Sequence, residues 1–173
     1  MKSKKTYYYA NSQQVELEKN DDFVAFDLDD IKSHKRLVQE FAQEHAEQLR
    51  KSVYLVPKKL VTEEVNSVID KFQAWRPVFQ SEDSIIVVLP EIRIADDEHK
   101  DIQAKIEDWI KGNADVKKIS VGPDRRGRMV VAPDGNDAMG TLEIANSLIE
   151  DLKITSAQPR MIQKIKSPRP TGR

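Results

Sequence analysis

Cysteine is absent from the 173 residues. Disulfide staples, thiolate catalysis and cysteine-ligated zinc are excluded with it. Aromatic residues make up only 6% of the chain and glycines number 6, so neither a stacking surface nor a glycine-rich phosphate loop is available in quantity. No apolar run approaches the length of a membrane span. The longest, Ile85 to Leu89, is far too short to cross a bilayer, and the first residues lack the apolar stretch of a signal peptide. Charge of one sign is also missing, because the formal net charge is −1. There is therefore no global attraction to nucleic acid or membrane. A cytoplasmic, soluble protein is expected.

What is present is a globular composition, with 39% hydrophobic and 33% charged residues, enough for one ordinary domain or two small ones. Local charge is uneven. No acid follows Asp151, whereas Lys153, Arg160, Lys164, Lys166, Arg169 and Arg173 do. Lys2, Lys4 and Lys5 form a smaller basic cluster at the other end.

One pattern occurs twice. Tyr7-Tyr8-Tyr9, the turn-like Asn11-Ser12 and the alternation around Val15 and Leu17 predict a leading hairpin. Phe23 to Phe26 predicts a strand, and Ser33 is placed to cap a helix whose apolar positions run from Leu37 through Phe41 and His45 to Leu49. Val53 to Val56 reads as a strand, Thr62 caps a helix with Val65, Val68, Ile69 and Phe72 inward, and Trp75 to Phe79 is extended. Pro77 places that last segment at a sheet edge. Ser81 to Ser84 is polar and marks the boundary.

The order then repeats. Ile85 to Leu89 and Glu91 to Ile94 are extended on either side of Pro90, and Ile102, Ile106, Trp109 and Ile110 mark a helix ended by Gly112. Val116 to Val121 and Met129 to Ala132 flank a turn at Gly122 to Gly127. Asp137 caps a helix carrying Leu142, Ala145, Leu148 and Ile149, and Ile154 to Met161 is the final extended segment. The expected fold is α+β: a hairpin and two tandem ferredoxin-like (β-α-β-β-α-β) modules, over 1–82 and 83–165, then a loose basic tail, 166–173. Each module is a four-stranded antiparallel sheet with two helices on one face and the other face free for a partner.

Chemistry is sparse. His34, His45 and His99 include no pair at the spacing that points two rings at one metal. Asp27, Asp29 and Asp30 lack the glycine and distal glutamate of an EF-hand loop. Asp96-Asp97-Glu98 suits the dipole of the following helix. The glycines of Gly122 to Gly127 join two strands rather than preceding a helix, which argues against a phosphate cradle. The segment Arg126 to Val131 has the basic-glycine opening of an RNA-binding RRM strand but none of its aromatics, and the other module offers only Tyr54. No nucleophile has a visible base partner. The expectation is a protein without catalytic residues, cofactor or metal, with a protein partner and with nucleic acid disfavoured.

The opening Tyr7 to Leu17, followed by Asp22-Phe23-Val24-Ala25-Phe26, resembles the start of the N-terminal pro-region of fervidolysin-like proteases, of the subtilisin family. Arg128 to Gly135, the helix from Ala138 to Leu152, and Ser156 to Met161 resemble the closing part of such a module. The resemblance spans Lys5 to Lys164 and implies ferredoxin-like pro-modules that act as inhibitor, folding chaperone or adaptor for a serine protease or protease-like partner. It further implies that the second module supplies the docking face, that Asp124 caps a partner helix, and that Met161, Ile162, Gln163, Lys164, Ile165 and Lys166 lie in the partner's cleft. The segments of a subtilisin catalytic domain are not in the sequence, and Gln158 and Met161 stand where the family has glutamate and an aromatic or leucine. Two alternatives remain open: a regulatory or scaffolding subunit of a multi-protein bacterial system, such as a defence system, without protease contact, and an RNA-binding adaptor.

Overall fold

The computed structural model describes residues 5–82, 84–96, 101–113, 119–133 and 138–165. Asp97, Glu98, His99, Asp137 and the tail from Lys166 lie outside them. The fold is α+β, with four α-helices and antiparallel strands. The chain divides into two compact units, each built from two stretches of sequence. The middle unit comprises Glu18–Val87 and Met161–Arg173, and the hairpin unit Met1–Leu17 and Val88–Arg160. This differs from a division after residue 82. Ser81 pairs with Ser84 and Val78 with Val87, so β5 and β6 are joined as neighbours within one unit where the sequence reads as a boundary.

In the middle unit, the second half of β2 (Gln13–Asp27) leads through a 3-10 turn at Leu28–Asp30 to α1 (Lys35–His45). Strands β3 (Glu47–Arg50) and β4 (Val53–Pro57), α2 (Glu63–Lys71) and β5 (Trp75–Ser81) follow. Next comes β6 (Ser84–Ala95), which pairs with β5. The strand order is β3-β4-β2-β5, so the first strand lies inside the sheet. Phe26, Val38, Phe41, Val56, Val65 and Ile69 form the core between this sheet and the two helices. Thr62 caps α2 as the sequence indicates, its hydroxyl accepting from the Val65 amide at 3.3 Å.

Ser33 does not cap α1. His34 occupies the cap position at φ 58° without a side-chain bond. The helix ends at His45, and Leu49 belongs to β3, which pairs with β4 to extend the sheet. Pro77 is not on an edge, because β5 lies between β2 and β6. The register between β2 and β5 shifts between Lys19 and Val24, and Pro77 lies opposite Val24 beside that irregularity, where its missing N–H is tolerated.

The helix-free face of this sheet is not free. Ala25, Val53, Leu55 and Val78 alternate with the core-facing residues, and all four are buried. The sequence carries the reason. Phe23 to Phe26 and Val53 to Val56 are continuous apolar runs, the pattern of strands buried on both faces. Arg76 lies opposite Ala25 on this face, only 5% exposed, with Nη2 at 3.5 Å from Asp27 and 3.3 Å from Asp30.

The hairpin unit begins with β1 (Thr6–Ala10) against the first half of β2. Asn11 and Ser12 join them, both at positive φ (50° and 66°), as a two-residue hairpin of matching twist requires. The second half of β6 is followed by α3 (Ile102–Gly112), β7 (Ile119–Pro123), β8 (Met129–Pro133), α4 (Ala138–Leu152) and β9 (Ser156–Ile165). The order is β7-β8-β6, with β9 also on β6. Ile92, Ile94, Ile106, Val131, Leu148 and Ala157 are core. Strand β6 runs unbroken through Pro90, which the sequence reads as a break. Trp75 and Trp109 each pack on the core of their own unit, and their indole N–H groups donate to Asn66 and Asp151 at 3.0 and 3.1 Å.

Removing one partner of a buried ion pair leaves the other charge uncompensated. Asp27 is 18% exposed, touches Arg76, and accepts from the Asp29 amide at 3.0 Å. Asp30 is 35% exposed. Replacement of Asp27 by alanine is expected to cost about 2–4 kcal/mol, and replacement of Asp30 no more than about 1 kcal/mol. Urea unfolding of both variants checks the order.

Candidate interaction surfaces

The tyrosine-rich hairpin is the best-anchored surface element of its unit. Tyr7 and Tyr9 lie on one face of β1, two residues apart, with rings edge to face at 5.7 Å. Both hydroxyls donate to Glu150 Oε1 on α4, at 2.7 and 2.9 Å. Strand β1 pairs only with β2, so its outer backbone edge needs other partners. Two side-chain amides supply them: Asn146 Nδ2 donates to the Tyr7 carbonyl at 2.9 Å, and Gln158 Nε2 to the Tyr9 carbonyl. Lys5 pairs with Glu16 across the hairpin at 2.7 Å. Sequence reasoning marked Tyr7 to Tyr9 and Gln158 but missed Asn146 and Glu150. Their spacing along α4 places them on one helix face, the available signal, yet nothing in the sequence says what that face meets.

The helix-free face of the hairpin unit differs from that of the middle unit. Glu91 and Arg93 alternate with buried Ile92 and Ile94 along β6, and Arg160 stands beside them on β9. Arg160 donates to Glu91 at 3.2 Å, and Arg93 lies 4.0 Å from it. The side chains of Arg93 and Arg160 are 43% and 36% exposed.

Asp124 is occupied by its own turn. Oδ1 accepts from the Arg126 and Arg128 amides at 2.8 and 2.9 Å, and Oδ2 from Arg128 Nε at 2.9 Å. The Arg128 amide above all holds its carboxyl below the usual aspartate range. Gly127, at φ 77°, supplies the left-handed residue this turn needs.

Met161 to Ile165 form the second half of β9 rather than a free tail. Ile162 is buried, Lys164 is paired with Glu47, and Ile165 is 72% exposed. Lys166 lies outside the described residues. Tyr54 stacks on Phe26 at 5.6 Å, on the helix side of its sheet, so its ring is not offered on the opposite face. Ser33 Oγ and His34 Nδ1 lie 3.4 Å apart, a contact between neighbours in an exposed turn. His45 is 40% exposed at the end of α1, against Phe41. Among the described residues no group of three or more His, Asp or Glu could hold a metal ion, and no helix is long and apolar enough to cross a membrane.

The hydrogen bond to Glu150, helped by burial and the carboxylate charge, pushes the Tyr7 hydroxyl up to about 12 from 10.0. The folded state therefore keeps this proton longer than the unfolded chain. The bond contributes fully below pH 10.0 and is lost as pH rises through about 12. Tyrosinate absorbance should show one group titrating near pH 12, and Glu150→Gln should move it back toward 10.0. For Asp124 the sign is opposite: its contribution is present above the ordinary value of 3.8 and is lost as pH falls through the lowered one. Asp124→Ala should raise hydrogen exchange at the Arg126 and Arg128 amides while leaving the global unfolding midpoint nearly unchanged.

No family model, no curated protein and no solved structure matches this chain.

Proposed function

We propose that this protein is a non-catalytic interaction module of two ferredoxin-like units, resembling a subtilase pro-region. It binds a serine protease or protease-like partner as inhibitor, folding chaperone or adaptor. The observation that carries the reading is the strand order. Numbered from β2 in the middle unit and from β6 in the other, with the β1–β2 hairpin left aside, the orders β3-β4-β2-β5 and β7-β8-β6-β9 both read 2-3-1-4, with two helices packed on one face. That order supports the split βαβ reading.

The hairpin unit is the docking unit in this reading. Its helix-free face is polar and half-exposed around Glu91, Arg93 and Arg160, whereas the corresponding face of the middle unit is buried. Two guanidinium groups against one carboxylate favour a partner surface that is acidic or that presents helix C-termini. The turn held by Asp124 flanks β8 on the same unit. Of residues 161–165, Gln163 and Ile165 have the exposed side chains that a cleft could take.

The reading is tested by mixing the protein with subtilisin-type proteases and following peptide hydrolysis, complex formation on gel filtration, and refolding of the denatured protease. Inhibition, a stable complex or rescued refolding is expected with at least one protease. Arg93→Glu with Arg160→Glu is expected to weaken that effect by roughly tenfold or more, through like-charge contacts at the interface. No effect in all three assays with a panel of proteases, from a protein that is folded, overturns protease binding and leaves the scaffolding role.

A further inference from the structure

We propose that the groove between β1 and α4 binds an aliphatic cation, the side chain of a lysine or arginine from another polypeptide. The groove has a volume of about 300 Å³, and Tyr7, Met139, Leu142, Asn146, Ser147 and Glu150 line it. That volume is at the small end for ligand sites and suits one long side chain.

Three features set the chemistry. The first is an unpartnered acceptor. Asn146 is only 7% exposed, and its Nδ2 is committed to the Tyr7 carbonyl. That bond fixes which way the amide points. Its Oδ1 is buried and has no hydrogen-bond partner among the described residues. A buried acceptor of this kind calls for a donor. The second feature is Glu150. Both tyrosine hydroxyls use Oε1, so Oε2 keeps its lone pairs for a ligand. The third is the apolar surface. Leu142 is buried at the base of the groove, and Met139 is 41% exposed beside it, surfaces on which a methylene stem packs.

An ammonium or guanidinium group carries donors and no acceptors. It matches the two acceptors, Asn146 Oδ1 and Glu150 Oε2, while an anion would meet the charges of Glu143 and Glu150. Lys5 also borders the groove, but its ammonium is paired with Glu16. The site lies on the helix side of the hairpin unit and does not depend on protease binding.

The test is NMR titration of the full chain with Nα-acetyl-lysine methylamide and Nα-acetyl-arginine methylamide, with the norleucine analogue as the uncharged control. Saturable millimolar binding is expected for at least one cationic probe, with shifts at the Asn146 side-chain amide near neutral pH; if the arginine probe binds, its guanidinium, still charged near pH 12, also lowers the Tyr7 titration by drawing on Glu150. Glu150→Gln keeps an acceptor for both tyrosines but removes the charge, and is expected to weaken binding tenfold or more. Ser147→Lys puts an ammonium into the groove from the chain itself and should abolish binding with the far-ultraviolet circular dichroism unchanged. Equal binding of norleucine, unchanged affinity in Glu150→Gln, or no shift with either cationic probe in the folded wild type overturns the proposal.

Discussion

Each unit depends on burying the strand that leads into its first helix. That strand takes neighbours on both sides, and both come later in the chain. In the middle unit β2 supplies it, and Phe26 is its centre. Its ring is fully buried, with Tyr54 stacked from β4 at 5.6 Å and Trp75 edge-on from β5 at 5.9 Å. Cross-strand aromatic pairs of this type add to area burial and fix register. A register slip of one residue would exchange Phe26 for Ala25 or Asp27 on the helix face. In the hairpin unit the same place belongs to Ile92, opposite Val131, in a core shared with Ile106 and Leu148 whose buried residues are all aliphatic, with Trp109 packed on it from a partly buried position. One arrangement is thus reached with two different core chemistries, as expected when volume and pattern matter more than residue identity.

The hairpin unit adds a contact outside the strand order that the two units share. Its β1 would otherwise present a bare edge, and bare edges invite pairing with other chains. Asn146 and Gln158 engage that edge at alternate carbonyls, and Glu150 gathers the two tyrosines on its face. These bonds join residues about 140 positions apart, since Tyr7 and Glu150 are separated by 143. The β1–β2 pairing is local, whereas fixing the hairpin's outer edge to α4 and β9 carries the loop-closure cost of a distant contact.

The order of elements was legible because it rests on local signals. Thr62 before an apolar helix stripe, Asn11-Ser12 between alternating segments, and Gly127 in a polar turn each act within a few residues. The failures fall where a distant partner decides. Leu49 continues the helical spacing of α1, yet pairing of β3 with β4 places it in a strand. Pro77 reads as an edge because the irregularity opposite it is set by β2, some fifty residues earlier. The largest misreading, a free sheet face on both modules, had a signal. The continuous run at Phe23 to Phe26 differs from the strict alternation of Glu91 to Ile94, and only the second is the pattern of a strand with one wet face. Asn146 and Glu150 carried only the signal of a shared helix face, because a polar helix residue looks the same in sequence whether it meets water or a strand edge.

That contrast between runs and alternation also bears on what the molecule can offer a partner. A strand buried on both faces contributes stability and nothing else. A strand that alternates contributes a surface, and its outward residues are then set by whatever the surface meets. On β6 these are Glu91 and Arg93, joined by Arg160 from β9. Isolated charges on a sheet face would do no more than keep it wet. Here they are of mixed sign and within reach of one another, and the Nε atoms of Arg93 and Arg160 are buried without a hydrogen-bond partner among the described residues. Guanidinium groups half-held in this way have lost part of their hydration before any partner arrives, so less desolvation remains to be made up on docking. The strand faces that the fold leaves wet are thus the surfaces it has to offer, and in the hairpin unit that face is a set of paired charges.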